Sequence, residues 1–212
     1  GSLGRLEELS VQLAGITGEP LPRLERTSIV VFAGDHGVTE EGVSPFPSEV
    51  TRQMLLNFVN AGAAVSVLAR QAQAQLCVVD VGTFGEALEV DEKTPGAGPV
   101  VPESGGRAST PEPDPGVELR VDRVRTGTAN IARGPAMSRR ECLEAIERGS
   151  SAAEREIARG ADLLGVGEMG IGNTTPSSAI VAVLGGHEVS VVTGPGTGLD
   201  DEGLRHKIEV IE

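Results

Sequence analysis

Residues Gly165–Pro176 read GVGEMGIGNTTP, and the run Asp162–Val166, DLLGV, leads into them. The pair predicts a strand, a glycine-flexible turn and the start of a helix. Pro176 falls in the first turn of that helix, where a missing N–H leaves no bond unmade. Unsatisfied N–H groups and the helix dipole favour an anion at such a point, and the Thr174 and Thr175 hydroxyls and the Asn173 amide add donors. Plain capping by Thr175 is the competing account. Gly165, Gly167, Gly170 and Gly172 are more glycine than a cap needs, which favours phosphate or ribose binding. GVGEMG formally matches G-x-G-x-x-G but departs from a dinucleotide fingerprint. More residues intervene before Pro176, and the next apolar run ends in Thr193-Gly194 rather than an acidic residue. No G-K-[ST] follows either. Glu168 inside the turn admits two readings: a proton acceptor or holder of a cationic ring, or a solvated loop carboxylate.

The same grammar recurs outward from this turn. Ser28–Ala33, SIVVFA, is a doubly buried parallel strand by its continuous apolar run, and it empties into Gly34-Asp35-His36-Gly37. Leu76–Val81, LCVVDV, is another, again followed by glycine. Glu188–Thr193 is expected as a further strand, leading into GPGTGLDDEG and a helix with Leu204, Ile208 and Ile211 on one face. Ser48 opens a helix to about Asn60, a second covers roughly 63–73, and the capping box Ser138-Arg-Arg-Glu141 opens one that Gly160 stops. This alternation predicts an α/β fold, a doubly wound, Rossmann-like parallel sheet with helices on both faces and its ligand beyond the C-terminal strand ends. Leu3, Leu6, Leu9 and Leu13 recur at helical spacing ahead of Gly15 and Gly18, which predicts an amphipathic helix within residues 1–27. Residues 94–117 carry six of the thirteen prolines and five glycines, a long surface excursion within a loop at about 86–118. The last helix is still periodic at Glu212, as in an incomplete polypeptide.

Composition narrows the partners. Aromatics are 2% of the chain, with no Trp or Tyr, which removes the stacking platforms that single-stranded nucleic acid requires. A formal charge of −13 repels phosphate backbones and anionic membranes. No apolar stretch reaches the ~20 residues of a membrane span, and a cytoplasmic chain with Cys77 and Cys142 as reduced thiols is expected. Asp35 and His36 follow a strand, but His187 and His206 offer no metal-ligand spacing. A pair that fixes loop geometry or positions substrate is preferred over a metal site. No G-x-S-x-G elbow marks a serine hydrolase. The second glycine-rich loop, Gly194–Gly198, precedes Lys207, which either neutralises a phosphate or is a surface lysine.

Taken together, GSLGRLEELSVQLA, FAGDHGVTEEGVSPFPSEVTRQM, CVVDVG, RTGTANIARGPAMS, LLGVGEMGIGNTTPSSAI and VTGPGTGLDDEGLRHK resemble the nicotinate-nucleotide:dimethylbenzimidazole phosphoribosyltransferase family. The segments follow the family's order, cover nearly the whole chain except about 86–118, and mark Gly1-Ser2 as native. The resemblance implies transfer of phosphoribosyl from nicotinate mononucleotide to 5,6-dimethylbenzimidazole in cobalamin assembly, by a homodimer that needs no metal or other cofactor. It implies that residues 1–27 are the helical segment of a small, incomplete subdomain beside a nucleotide-binding domain at 28–212. It implies an acceptor pocket of Ser44, Phe46 and Gln53, with Glu168 as a supporting acidic residue. Gly170, Gly172, Asn173, Thr174, Thr175, Gly194, Gly196, Thr197, Gly198 and Lys207 correspond to nucleotide-binding positions. Two departures stand out. Pro195 removes a donor N–H from the 194–198 loop, and the family's principal catalytic glutamate lies in a segment expected beyond residue 212. The alternative reading is a truncated, non-catalytic paralogue that binds nucleotide or benzimidazole.

Overall fold

A computed structural model describes residues 2–88 and 116–212; the expected excursion at 94–117 lies almost wholly outside them. Strand β1 (Thr27–Gly34) is the centre of the fold. Its run of β-branched and small residues suits a strand covered on both faces. It pairs in parallel with β2 (Gln75–Gly82) on one side and with β4 (Leu163–Met169) on the other. Strand β3 (Val117–Val121) extends the sheet beyond β2, giving the order β3-β2-β1-β4.

The strand alternation sorts two cores. Val31, Ala33, Leu76 and Val78 point to one face, where α2 (Glu49–Val59) and α3 (Ala64–Gln71) contribute Leu55, Phe58, Val59 and Ala69. Val30, Cys77 and Val79 point to the other, against Ala152 of α4 (Arg139–Ala158). Helices on both faces of a parallel sheet are the expected doubly wound arrangement. The predicted capping box opens α4: Glu141 N–H donates to Ser138 Oγ at 3.2 Å, and Ser138 N–H to Glu141 Oε2 at 2.7 Å. Ser48 stands at the start of α2 without making a side-chain cap; its hydroxyl bonds Thr39 Oγ1 at 3.0 Å instead. Helix α1 (Arg5–Thr17) has no buried residue.

Two assignments differ from expectation. Glu188–Thr193 is not a strand: Val189–Val192 is a single helical turn, α6. A strand needs a ladder partner, and Gly186, in the left-handed conformation, turns the chain back onto α5 (Thr174–Gly185). There Ser178 Oγ donates to Val192 C=O at 3.0 Å. The loop 194–198 therefore follows a helical turn, and α7 (Asp201–Ile211) comes after it. Conversely, β3 was hidden at the margin of the Pro/Gly-rich tract, although Val117, Leu119 and Val121 alternate with polar residues as an outer strand should.

Cys77 and Cys142 are free thiols, Cys77 buried and Cys142 exposed. Burial first, then the charges of Glu118 and Glu156, pushes the Cys77 thiol up to about 12, so it is chemically quiet at neutral pH. Leu55 is wholly buried in the α2-side core. Leu55→Ala is expected to cost about 2–5 kcal/mol of unfolding free energy, measured as a lowered urea midpoint at an unchanged slope.

Candidate active site

The loops leaving β1, β2 and β4 converge at the C-terminal strand ends. The end of β2 is held by Asp80, which is buried within the strand's apolar run. Its Oδ1 accepts from Gly82 N–H at 3.1 Å and Thr83 N–H at 2.9 Å, and its Oδ2 from Arg123 Nε at 2.8 Å. Arg123 Nη1 also donates to Gly85 C=O at 2.7 Å. At the end of β1, Asp35 Oδ2 accepts from Phe84 N–H at 2.8 Å. Burial raises its carboxyl above the ordinary value, opposed by the Thr51 hydroxyl and that N–H. Ile171 N–H donates to Thr51 Oγ1 at 3.0 Å, which pins the β4 turn to α2.

His36 extends from this framework toward the β4 turn. Its Nδ1 lies 3.1 Å from Thr128 Oγ1 and its Nε2 lies 2.8 Å from Asn173 Oδ1. Asn173 Nδ2 donates in turn to Glu168 Oε2. Burial lowers the His36 pKa from its usual 6.5, against the opposing effects of the Asn173 bond and the Asp35 and Glu168 charges. Asp35 and His36 thus tie the loop after β1 to Phe84, Thr128 and Asn173.

Glu168, Asn173 and Thr174 share one cleft of about 140 Å³ with Val43, Ser44, Met169, Gly170, Ile171, Gly172, Gly196 and Thr197. Lys207 is buried beneath it, 1% exposed, with Nζ donating to Thr174 Oγ1 at 2.6 Å and to Gly194 C=O at 3.2 Å. Burial lowers its pKa, and no ion pair satisfies it among the described residues. A buried ammonium tied to a cleft-lining hydroxyl is a ready counter-charge for an anion.

The expected residues divide accordingly. Ser44, Glu168, Gly170, Gly172, Asn173, Thr174, Gly196 and Thr197 line the cleft, Lys207 and Gly194 underlie it, and Gly198 lies two residues past Gly196 in the same loop. Thr175 is fully buried and outside the lining, its hydroxyl without a hydrogen-bond partner. Phe46, 47% exposed, and Gln53 also stand outside the lining. The framework residues Asp80, Arg123 and Thr128 were not singled out from sequence. Asp80 carried a signal, because a carboxylate inside an apolar strand demands partners.

Two other features lie elsewhere. Cys77, Glu118 and Glu156 form a three-ligand cluster at the sheet's α4 face. Arg159 already bonds both carboxylates, at 2.5 and 3.0 Å, and Ser28 Oγ donates to Glu156 at 2.7 Å. A shallow hollow of about 490 Å³ on α4 is lined by Arg140, Leu143, Glu144, Glu147, Arg148 and Ser151, with Arg140 and Arg148 both paired to Glu144.

Fold and site together define a doubly wound α/β protein with an anion-suited cleft at the carboxyl ends of its strands. A phosphoribosyltransferase family matches residues 1–212. The chain is 49% identical to the nicotinate-nucleotide–dimethylbenzimidazole phosphoribosyltransferase of Pseudomonas putida strain F1, over 100% of its own length and 53% of the relative's. It is 50% identical to that of Geotalea uraniireducens strain Rf4, with the same coverage. The crystal structure of CobT from Thermus thermophilus superposes with a TM-score of 0.82 at 43% identity, covering 99% of this chain and 55% of that one. The chain belongs to the nicotinate-nucleotide–dimethylbenzimidazole phosphoribosyltransferase family, and it spans about half the length of the curated relatives it matches.

Gly170 is the tightest point of the site. A Cβ there would lie 2.0 Å from Gly34 C=O and 2.3 Å from Asn173 Oδ1. Gly170→Ala is therefore expected to destabilise the chain by about 1–3 kcal/mol through overpacking. The measurement is thermal unfolding, where a lowered midpoint is expected because Asn173 must move.

Proposed function

We propose that this chain forms the mononucleotide cradle and part of the acceptor side of an enzyme that transfers phosphoribosyl from nicotinate mononucleotide to 5,6-dimethylbenzimidazole. The observation that carries this reading is one cleft that joins Glu168 to Thr174, Gly196 and Thr197, with Lys207 beneath. The hydroxyls, the start of α5 and the Lys207 ammonium suit a phosphate. Ser44 and Glu168 suit an acceptor placed beside it.

The chemistry matches those parts. The glycosidic bond from C1′ to the pyridinium nitrogen breaks, and its electron pair neutralises that nitrogen, so nicotinate departs without an acid. A new bond forms from C1′ to a benzimidazole nitrogen with α configuration. The acceptor's ring N–H proton passes to a carboxylate base. Glu168 serves this step in a supporting role by holding and polarising the acceptor, and the principal base is assigned, by family resemblance, to a segment beyond residue 212. The same resemblance supports a homodimer in the cytoplasm. No described helix is long and apolar enough to cross a membrane.

Two measurements check the proposal. Nicotinate should be released from nicotinate mononucleotide by the intact polypeptide only when dimethylbenzimidazole is supplied; release at the same rate without it would contradict transfer. In calorimetry, Thr174→Ala should weaken nicotinate mononucleotide by about 1–3 kcal/mol, the worth of a charge-assisted hydrogen bond. Thr175→Val should bind it almost as the parent does, because that hydroxyl is buried away from the cleft.

A further inference from the structure

We propose that His36 is a positioning residue for Glu168, acting through Asn173 in a hydrogen-bonded chain of fixed direction that begins at Thr128. The inference rests on the reading of Glu168 as an acceptor-side carboxylate. Its direction follows from chemistry at the cleft end. An ionised carboxylate can only accept, so the Asn173 amide must turn Nδ2 toward Glu168. That leaves Asn173 Oδ1, also only an acceptor, facing His36 Nε2 at 2.8 Å, so Nε2 carries the ring proton. Nδ1 of the neutral ring is then bare and accepts from Thr128 Oγ1 at 3.1 Å. Every donor in the series Thr128, His36, Asn173, Glu168 thus has one acceptor, and reversal of any member breaks its neighbours.

Both ends of the series are constrained. Thr128 N–H donates to Asp35 C=O at 2.9 Å, and Gly37 N–H donates to Thr128 C=O at 3.0 Å. The two segments approach so closely that a Cβ on Gly37 would lie 2.7 Å from Asn130 N. At the other end, Asn173 supplies the one hydrogen bond to the Glu168 side chain among the described residues. Asn173 also occupies the N-cap position of α5 but makes no side-chain cap. A cap has nothing to bond at this helix start: Thr175 N–H donates to Gly172 C=O at 2.9 Å, and Pro176 has no N–H. The amide is left to span His36 and Glu168. Without His36 the amide loses the partner that sets its orientation, and the carboxylate loses its fixed donor.

The test uses His36→Leu, His36→Gln and Thr128→Val in the intact polypeptide, with Glu168→Gln as the reference. Gln presents an N–H near the place of Nε2; Leu presents none. His36→Leu is expected to lower kcat about 10- to 100-fold, the scale for a misplaced reacting group. Nicotinate mononucleotide affinity should stay within about twofold of the parent. His36→Gln should recover most of the rate, and Thr128→Val, which keeps the ring, should show a smaller loss of the same kind. Adding His36→Leu to Glu168→Gln should cost little more than Glu168→Gln alone, since both remove one unit. The proposal is overturned if Leu and Gln behave alike, if donor affinity falls in step with kcat, or if the double variant shows fully additive losses. Should His36→Leu fail to fold, Thr128→Val and its double variant with Glu168→Gln decide by the same criteria. Parent-like turnover in Glu168→Gln would instead overturn the acceptor-side reading itself, whereas a slow Glu168→Gln beside a parent-like His36→Leu would remove only the relay.

Discussion

The site depends on the two-sided pairing of β1. That strand holds β2 and β4 at fixed register, with Val31 opposite Val78 on one side and Gly167 on the other. Parallel pairing brings the carboxyl ends of three strands to one level, and the loops after β1, β2 and β4 leave from that level. Because β1 is covered on both faces, a shift of its register by one residue would send Val30 and Val31 to the wrong cores. The positions of Asp35 and His36 are therefore set by packing far below them, and the cleft inherits its precision from an apolar strand that never touches it.

On this scaffold the polar groups behave as a supporting lattice. Asp80 gathers the loop after β2, Asp35 ties β1 to Phe84, and Thr51 fixes the turn after β4. Such buried bonds contribute modest net stability but make alternatives costly, since a broken one leaves a desolvated group behind. Lys207 is the exception that points to function. It is buried with a hydroxyl and a carbonyl for partners and no carboxylate among the described residues, so its charge remains uncompensated at the cleft floor.

Much of this was legible in the residues. Runs such as SIVVFA and LCVVDV, each emptying into glycine, identify doubly covered parallel strands by pattern alone. The four-residue Ser138–Glu141 signature identifies a helix start for the same reason: the bonds involved are local. What failed was non-local. Val189–Val192 has the composition of a strand but no ladder partner, and partners are decided by where the chain has already gone. Strand β3 escaped notice because its short alternation adjoins a proline-rich tract. Within the cleft, glycines and hydroxyls near Gly165–Pro176 were readable. Yet sequence could not tell Thr174, which faces the cleft, from Thr175, which is buried, since one step along a helix start turns a side chain by roughly 100°. Nor could it reveal that His36 and Asn173, 137 residues apart, would share a hydrogen bond.

Among the described residues strand β4 pairs with β1 alone, and Val166 on it is 76% exposed. On α5, the helix that follows, Ile180, Val183 and Leu184 also face outward. Apolar surface of this kind favours association, with the rest of a longer polypeptide or with other chains. The net charge of −13 acts against that tendency by keeping like chains apart. Salt that screens this repulsion leaves the sheet intact while removing the barrier to association, so ionic strength governs how long such a chain stays dispersed.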